Sequence, residues 1–180
     1  MSEYFESVKL PKERVNVVIG KKGEIKRKIQ KKTGTKIKID EESSVSIISD
    51  NGLSIWHAKD IIKAIGRGFS PEKALLIDGE NYVFEVIEIN DYARNENDIK
   101  RLKGRIIGKE GKSRELIEKS TGAFISVYGK TVSIICPIET ADTVRKAVQM
   151  LLEGAMHKTV YNMIEKKKME LKKDRIFNLN

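Results

Sequence analysis

The strongest constraint on the fold of this chain is an internal repeat. Residues 18–39 reappear as residues 106–127, at a constant offset of 88 positions. In both copies an apolar residue precedes Gly-x-x-Gly, an isoleucine follows six positions after the second glycine, and a Thr-Gly pair comes next. One Gly-x-x-Gly carries little weight, but two copies with the same downstream spacing predict two equivalent structural units.

Each copy predicts the same order of local elements. The stretch after the second glycine lacks Gly and Pro and favours a helix, which Gly34 and Gly122 would end in a left-handed cap. Two strands and an amphipathic helix follow. In the first copy we expect strands at residues 7–10, 36–40 and 45–48 and a helix at 53–65. In the second we expect strands at 82–89, 123–128 and 131–136, an added helical turn near 98–103 and a helix at 138–152.

Charge is segregated along the chain in the same two-fold way. Residues 9–38 hold 12 Lys and Arg against 2 Asp and Glu, and residues 100–119 hold 8 against 3. The intervening residues 40–99 hold 5 basic and 13 acidic side chains. Together with a net charge of +9 and a pI near 9.5, these basic blocks predict two surfaces that face a polyanion.

Several other functions are disfavoured by the sequence. No apolar run is long enough for a membrane span, and the acidic N-terminal residues are unlike a secretory signal, so a cytoplasmic protein is expected. Cys136 lies in an apolar run and is expected to be a small buried side chain. The two histidines, His57 and His157, stand far apart, so no metal site is predicted. Gly111-Lys112-Ser113 fails as a P-loop because position 106 is isoleucine. No catalytic residue, cofactor or enzymatic activity is predicted.

The repeat resembles the KH domain, in which a Gly-x-x-Gly loop holds the backbone of about four nucleotides of single-stranded RNA. The resemblance implies an α+β fold of two tandem KH domains, each with a three-stranded antiparallel sheet packed on helices, and a C-terminal helical tail. The expected bounds are residues 1–79 for the first domain with its junction helix, 80–154 for the second, and 155–180 for the basic tail.

Mapped onto this sequence, the resemblance implies two RNA-binding clefts. The expected RNA-binding residues are Ile19, Gly20, Lys21, Lys22, Gly23, Lys26, Arg27, Ile37 and Ile39 in the first unit, and Arg105, Ile107, Gly108, Lys109, Glu110, Gly111, Lys112, Arg114, Ile125 and Val127 in the second. The apolar members are expected as cleft floor or core. Glu110 departs from the pattern, because it puts an acidic side chain inside a loop that should hold phosphate.

A second resemblance concerns the segment between the repeats. Residues 65–78, with Ser70-Pro71 as a helix start, and residues 102–114 are similar to small-subunit ribosome assembly factors of the partner-of-Nob family and its shorter archaeal homologues. This implies binding of single-stranded RNA near the 3′ end of 16S rRNA, beside a Nob-type endonuclease and a translation initiation factor subunit. The alternatives are a general mRNA-, exosome-linked or single-stranded DNA-binding KH adaptor, a protein-interaction scaffold, or an RNA enzyme.

Overall fold

Each half of the chain folds into a three-stranded antiparallel sheet with helices packed on one face. The computed structural model describes residues 4–79 and 81–177. It divides into unit 1, Met1–Phe84, and unit 2, Glu85–Asn180. The predicted α+β class and the pair of KH-type units are confirmed.

Unit 1 has the strand order β1-β3-β2, so that β2 lies at the edge of the sheet. Its elements are β1 Tyr4–Lys9, α1 Lys12–Ile19, α2 Glu24–Thr33, β2 Lys36–Ile39, β3 Ser44–Ser49, α3 Gly52–Gly66 and α4 Pro71–Ala74. Ile37 lies opposite Ile47 and Ile39 opposite Val45, which places these side chains on one face of the sheet. This face and the helices form a core that includes Val18, Ile29, Ile61 and Ile62, all fully buried.

Unit 2 repeats the arrangement with the strand order β4-β6-β5. Strand β4, Tyr82–Glu88, begins three residues before the division between the units. The other elements are α5 Glu96–Ile107, α6 Lys112–Thr121, β5 Phe124–Tyr128, β6 Thr131–Pro137, α7 Ala141–Leu152 and α8 His157–Phe177. Ile125 lies opposite Ile134, as Ile37 lies opposite Ile47 in unit 1. The offset between the partner isoleucines of β3 and β6 is 87 rather than 88, because the turn between the two strands is one residue shorter in unit 2.

The helix that precedes the first Gly-x-x-Gly is absent from the sequence prediction. In α1 the β-branched Val15, Val17, Val18 and Ile19 resemble a strand in composition, although they form a helix whose Val18 is buried in the core. In unit 2 the predicted helical turn near residues 98–103 is part of a longer helix, α5, which begins at an Asn95 cap and runs to the loop. Both units therefore present the loop between two helices.

Helix α8 packs against α6 and α7 as part of unit 2. Val160 and Ile164 are buried in this contact, whereas Lys158, Lys166 and Lys167 of the same helix are exposed. Trp56 of α3 is 67% exposed. Ser70, which the sequence predicts as a helix start, precedes α4 without a side-chain cap bond. Among residues 4–79 and 81–177, no helix is both long and apolar enough to cross a membrane.

An arginine from the helix before each loop holds the end of the helix that closes the unit. Arg14 donates from Nε to the Ile65 carbonyl at 2.8 Å and from its terminal nitrogen to the Phe69 carbonyl at 2.7 Å. Arg105 donates in the same way to the carbonyls of Leu151, at 2.9 Å, and Ala155. The last carbonyls of a helix have no partners within it, so a cation that binds them is stabilising.

Cys136 is buried, as the sequence predicts. Its exposed fraction is 1%, and it lies on β6 in the core of unit 2. Burial raises the pKa of the thiol to about 11, with a further increase from the Glu85 carboxylate that Arg145 partly offsets. The reactive thiolate is therefore scarce at neutral pH.

We expect the Cys136 thiol of the native protein to resist a thiol-specific reagent at about pH 8 and to react fully in guanidinium chloride. The measurement is the rate of labelling with a chromogenic disulfide. Native labelling at the rate of a cysteine peptide would show that β6 opens readily or that the thiol is accessible.

Candidate nucleic-acid interface

The two Gly-x-x-Gly loops have the same backbone conformation. Gly20 has φ and ψ of 70° and 176°, and Gly108 has 75° and 174°. Each loop is a single 3₁₀ turn, Lys21–Gly23 or Lys109–Gly111, between two helices. The third position is left-handed in both, with φ of 53° at Lys22 and 54° at Glu110. The two turns, whose sequences differ only at the third position, thus have the same backbone conformation.

Two separate constraints, backbone conformation and packing, require glycine at the first position of each loop. Its combination of φ and ψ lies in a region that is essentially restricted to glycine. A Cβ on Gly20 would also lie 2.4 Å from a side-chain carbon of Ile25 and 2.9 Å from the Ile25 nitrogen. A Cβ on Gly108 would lie 2.5 Å from the Cβ of Ser113 and 2.7 Å from its nitrogen. The second helix therefore packs directly on the glycine.

The side chains of the loops are exposed, but the two loops differ in charge. Lys21 and Lys22 both face solvent in unit 1. In unit 2 Lys109 is exposed, and the Glu110 carboxylate lies 3.1 Å from the ammonium of Lys112. Both partners of that ion pair are exposed, so it is weak and contributes little to fixing the loop. Backbone amides and a helix N-terminus favour a phosphate in either loop, and unit 1 adds two full positive charges.

The helices that follow the loops differ in charge in the same direction as the loops. Helix α2 carries five basic residues and one acidic residue, whereas α6 carries three basic and two acidic residues. Arg27 of unit 1 corresponds to Glu115 of unit 2. A hydrogen bond from Lys119 lowers the pKa of the Glu115 carboxyl group. Arg114 lies 3.9 Å from Glu118 on the same helix. The unit 1 cleft therefore has the stronger attraction for a polyanion.

The edge strand beside each loop is tied to the helix by an equivalent bond. The N–H of Ile37 donates to Oε1 of Gln30 at 2.8 Å, and the N–H of Ile125 donates to Oε1 of Glu118 at 2.7 Å. Hydrogen-bonding groups of successive residues alternate across an antiparallel strand. The backbone groups of Ile39 and Val127 therefore face the same open edge of their sheets, where a base could be read.

The apolar residues predicted for the cleft divide into two groups. Ile37 and Ile125 are 2% and 4% exposed, so their side chains belong to the core and offer no surface on which a base could lie. Ile39 and Val127, like Ile19 and Ile107 before the loops, are only half-buried. Buried and exposed side chains alternate along strand β2, as the sequence predicts. The buried side chains point into the core, however, so they cannot contact a ligand at the edge of the sheet.

The basic residues predicted for the cleft also fall into two groups, those that lie beside the loops and Arg105. Lys26 is half-buried, and Arg27, Lys112 and Arg114 are exposed beside their loops. Arg105 is different, because its guanidinium is bound to the carbonyls at the end of α7 and the chain after it. Its prediction as an RNA-binding residue rested on adjacency in sequence, whereas its side chain points from α5 towards α7.

Sequence reasoning missed the residues that give the cleft its shape. Gln30 and Glu118 are recognisable in the sequence only as helix residues, although each is seven positions before the strand residue that it binds. Their equal spacing in both copies was the available signal. The counterpart of Ile25 beneath the unit 2 loop is the buried Ser113, in agreement with the offset of the repeat.

Comparison with known proteins agrees with this geometry. A family model described as "Eukaryotic type KH-domain (KH-domain type I)", the second domain of the PNO1 proteins, matches residues 83–169, and a general KH domain model matches residues 5–64. The KH domain-containing protein MJ0443 of Methanocaldococcus jannaschii is 49% identical over 174 residues, which are 94% of this chain and 77% of that protein.

This chain belongs to the Dim2-type family of tandem KH-domain proteins, the archaeal homologues of PNO1. Dim2p of Pyrococcus horikoshii OT3, crystallised alone, is 43% identical with a TM-score of 0.83, over 91% of this chain and 99% of that one. In a crystal structure with a/eIF2alpha and rRNA, Dim2p is 42% identical with a TM-score of 0.86, over 93% and 96% of the chains. A protein from Aeropyrum pernix, APE0754, is 35% identical with a TM-score of 0.92, over 99% and 98%.

Membership of the family makes this chain a KH-domain RNA-binding protein, and KH domains are typically not enzymes. A local match to an enzyme exists as well: 62 residues are 45% identical to polyribonucleotide nucleotidyltransferase of Streptococcus agalactiae, but they are 34% of this chain and 9% of the enzyme. Within the described part of the chain, no three His, Cys, Asp or Glu side chains are grouped as a metal site.

The two glycines of one loop provide a matched pair of substitutions. Gly20→Ala should lower the free energy of unfolding by about 2–5 kcal/mol, because backbone strain and overpacking add. Gly23→Ala should cost only about 1–2 kcal/mol, since a Cβ there meets nothing within 4 Å and only the left-handed φ is unfavourable. Urea unfolding followed by circular dichroism measures both. Equal losses would show that the packing of Ile25 on Gly20 is not the constraint.

Proposed function

We propose that this protein binds single-stranded RNA through both Gly-x-x-Gly clefts, and that its target is the 3′ end of 16S rRNA during maturation of the small ribosomal subunit. The observation that carries the proposal is the identical loop geometry of the two units, each beside an open strand edge. The rRNA complex of the related Dim2p supports ribosomal RNA as the target. In this role the protein sequesters or presents the RNA and performs no chemistry on it.

The mechanism follows from the two parts of each cleft. The loop amides and Lys21, Lys22 and Lys109 bind phosphates, while the edge backbone groups of Ile39 and Val127 and the adjacent half-buried apolar side chains receive the bases. The phosphate contacts position the RNA, and the contacts at the edge of the sheet distinguish its bases. About four nucleotides fill each cleft.

Two protein partners are part of the proposal. A translation initiation factor subunit is supported by the complex of Dim2p with a/eIF2alpha. A Nob-type endonuclease that cuts the RNA held by the protein is implied by the partner-of-Nob resemblance. A general RNA adaptor is the second candidate, favoured by the match of 62 residues to polyribonucleotide nucleotidyltransferase.

The first experiment separates these targets by fluorescence anisotropy. RNA of the 16S 3′ end, a scrambled RNA and a DNA of the same sequence are titrated over a series of salt concentrations. Preference for the ribosomal RNA, with a slope of log K against log salt near −0.7 for each phosphate bound, supports the proposal. Equal affinity for all three would replace it with the general adaptor.

Reversal of charge in the unit 1 loop should weaken RNA binding without unfolding the protein. For Lys21→Asp with Lys22→Asp we expect a loss of affinity of about tenfold or more, because charge-assisted bonds to phosphate contribute roughly 1.5–3 kcal/mol each. The salt slope should become shallower by about 0.7 for each phosphate that the variant no longer binds. Anisotropy measures affinity, and circular dichroism reports the fold.

The control for that variant is Lys31→Asp with Lys63→Asp, which changes the net charge equally at exposed positions away from the loop. Lys109→Asp should cost less than the change in unit 1, because Glu110 already reduces the positive charge of that loop. If the control and the loop variant weaken binding equally, only the net charge matters and the cleft is not the site.

A further inference from the structure

Behind the loop of unit 2 lies an open hollow of about 460 Å³, on the side of α5 that faces α8. Its wall includes Arg101 and Gly104 of α5, Lys109 and Lys112 of the loop and α6, and His157 and Tyr161 of α8. Helices α6 and α8 both begin beside it, so the positive ends of two helices are near the opening. Val127, the residue of unit 2 at the RNA-reading edge, is not among those that line it.

Ser113 provides an independent sign that this hollow receives a polar ligand. Its side chain is 3% exposed and lines the hollow. Within the described residues, its Oγ has no hydrogen-bond partner. A buried hydroxyl without a partner is destabilising, so its retention calls for an explanation. Rotation of this side chain towards the hollow would let a ligand oxygen supply the missing bond.

Unit 1 has different residues at the positions that line the hollow in unit 2. The positions equivalent to Arg101, Lys112 and Ser113 are Glu13, Glu24 and Ile25. Two acidic residues and an apolar one thus stand where unit 2 has two basic residues and a hydroxyl. After α3 the chain of unit 1 continues into the short α4, and its described residues include no long helix that corresponds to α8. The residues that form the hollow are therefore particular to unit 2.

Two flat rings form the α8 side of the hollow. The rings of His157 and Tyr161 have centroids 6.1 Å apart and are inclined by 58°. His157 is held by a bond of 2.9 Å between its Nε2 and the Arg105 carbonyl, in which Nε2 is the donor because a carbonyl can only accept. Aromatic rings beside cationic side chains are the arrangement that binds a nucleotide, with the base on a ring and the phosphate on the cations.

We propose that this hollow binds a nucleotide of the same RNA strand after it leaves the unit 2 cleft around the loop. Arg101 and Lys112 bind its phosphate, Tyr161 stacks on its base, and Ser113 Oγ bonds an RNA oxygen. The bonds that now hold the cations, from Arg101 to Asp98 and from Lys112 to Glu110, are exposed and weak enough to exchange. This inference rests on the proposed RNA-binding function.

The test compares short and long RNA. An oligonucleotide of about four residues fills the cleft alone, whereas one of about twelve can continue behind the loop. Arg101→Gln and Tyr161→Leu should leave binding of the short RNA unchanged and weaken the long RNA roughly fivefold or more, the loss expected for one stacked base. Lys100→Gln is the control, because it removes an exposed charge from the same helix outside the hollow.

A blocking variant covers the case in which Tyr161→Leu disturbs α8. A side chain at Gly104 would enter open space in the hollow, since a Cβ there meets nothing within 4 Å. Gly104→Leu also favours the helix, so it should preserve the fold. It should weaken the long RNA as Arg101→Gln does.

Each remaining outcome decides between the two proposals. If the wild-type protein binds neither RNA, the proposed function fails and this inference with it. If the short RNA binds but all three variants bind the long RNA as the control does, only the hollow is wrong. If inorganic phosphate alone shifts the amide resonances of Ser113 and Tyr161 and the variants leave RNA affinity unchanged, the hollow binds a small anion and the RNA proposal is overturned.

Discussion

The first glycine of each loop is the constraint on which both clefts depend. Its backbone conformation is closed to other residues, and the next helix rests on its bare α-carbon, at Ile25 in one unit and Ser113 in the other. This contact sets the angle between the two helices and therefore the direction in which the loop amides point. The bond from Gln30 or Glu118 to the edge strand then sets the distance from the helix to the sheet. The phosphate-binding and base-reading surfaces are thus held together by one close approach and one hydrogen bond.

On this shared frame the two units carry different electrostatics. Unit 1 places Lys21 and Lys22 at the tip of its loop and a strongly basic helix behind it. Unit 2 has Glu110 at the tip and a weaker net charge on α6, but it gains Arg101, Lys112 and the aromatic rings of α8 on the opposite side of the loop. The positive potential of unit 2 is therefore shifted away from the cleft, which is consistent with different parts of one RNA being held by different means.

The repeat allowed the loops, the strands and the closing helices to be predicted, because glycine caps and alternating strands are local signals. The fold class was implied by the resemblance of the repeat to the KH domain. Helix α1 was missed since its β-branched residues favour a strand when read without their tertiary partners. The cleft was predicted in outline but not in detail. Ile37 and Arg105 are adjacent in sequence to cleft residues, yet one faces the core and the other binds the end of α7. The hollow could not be foreseen, because it requires α8 to pack on unit 2.

The two arginines that hold the closing helices show that the units are not interchangeable parts. By the offset of the repeat, Arg14 corresponds to Leu102 and Arg105 to Val17, so the same bond is made from positions one helical turn apart. A chimera that exchanged α1 for α5 would place the arginine one helical turn from the position it needs. The carbonyls at the end of α3 or α7 would then have no arginine donor. Grafting a loop between the units should therefore be confined to the glycine-bounded turn, where the two backbones coincide.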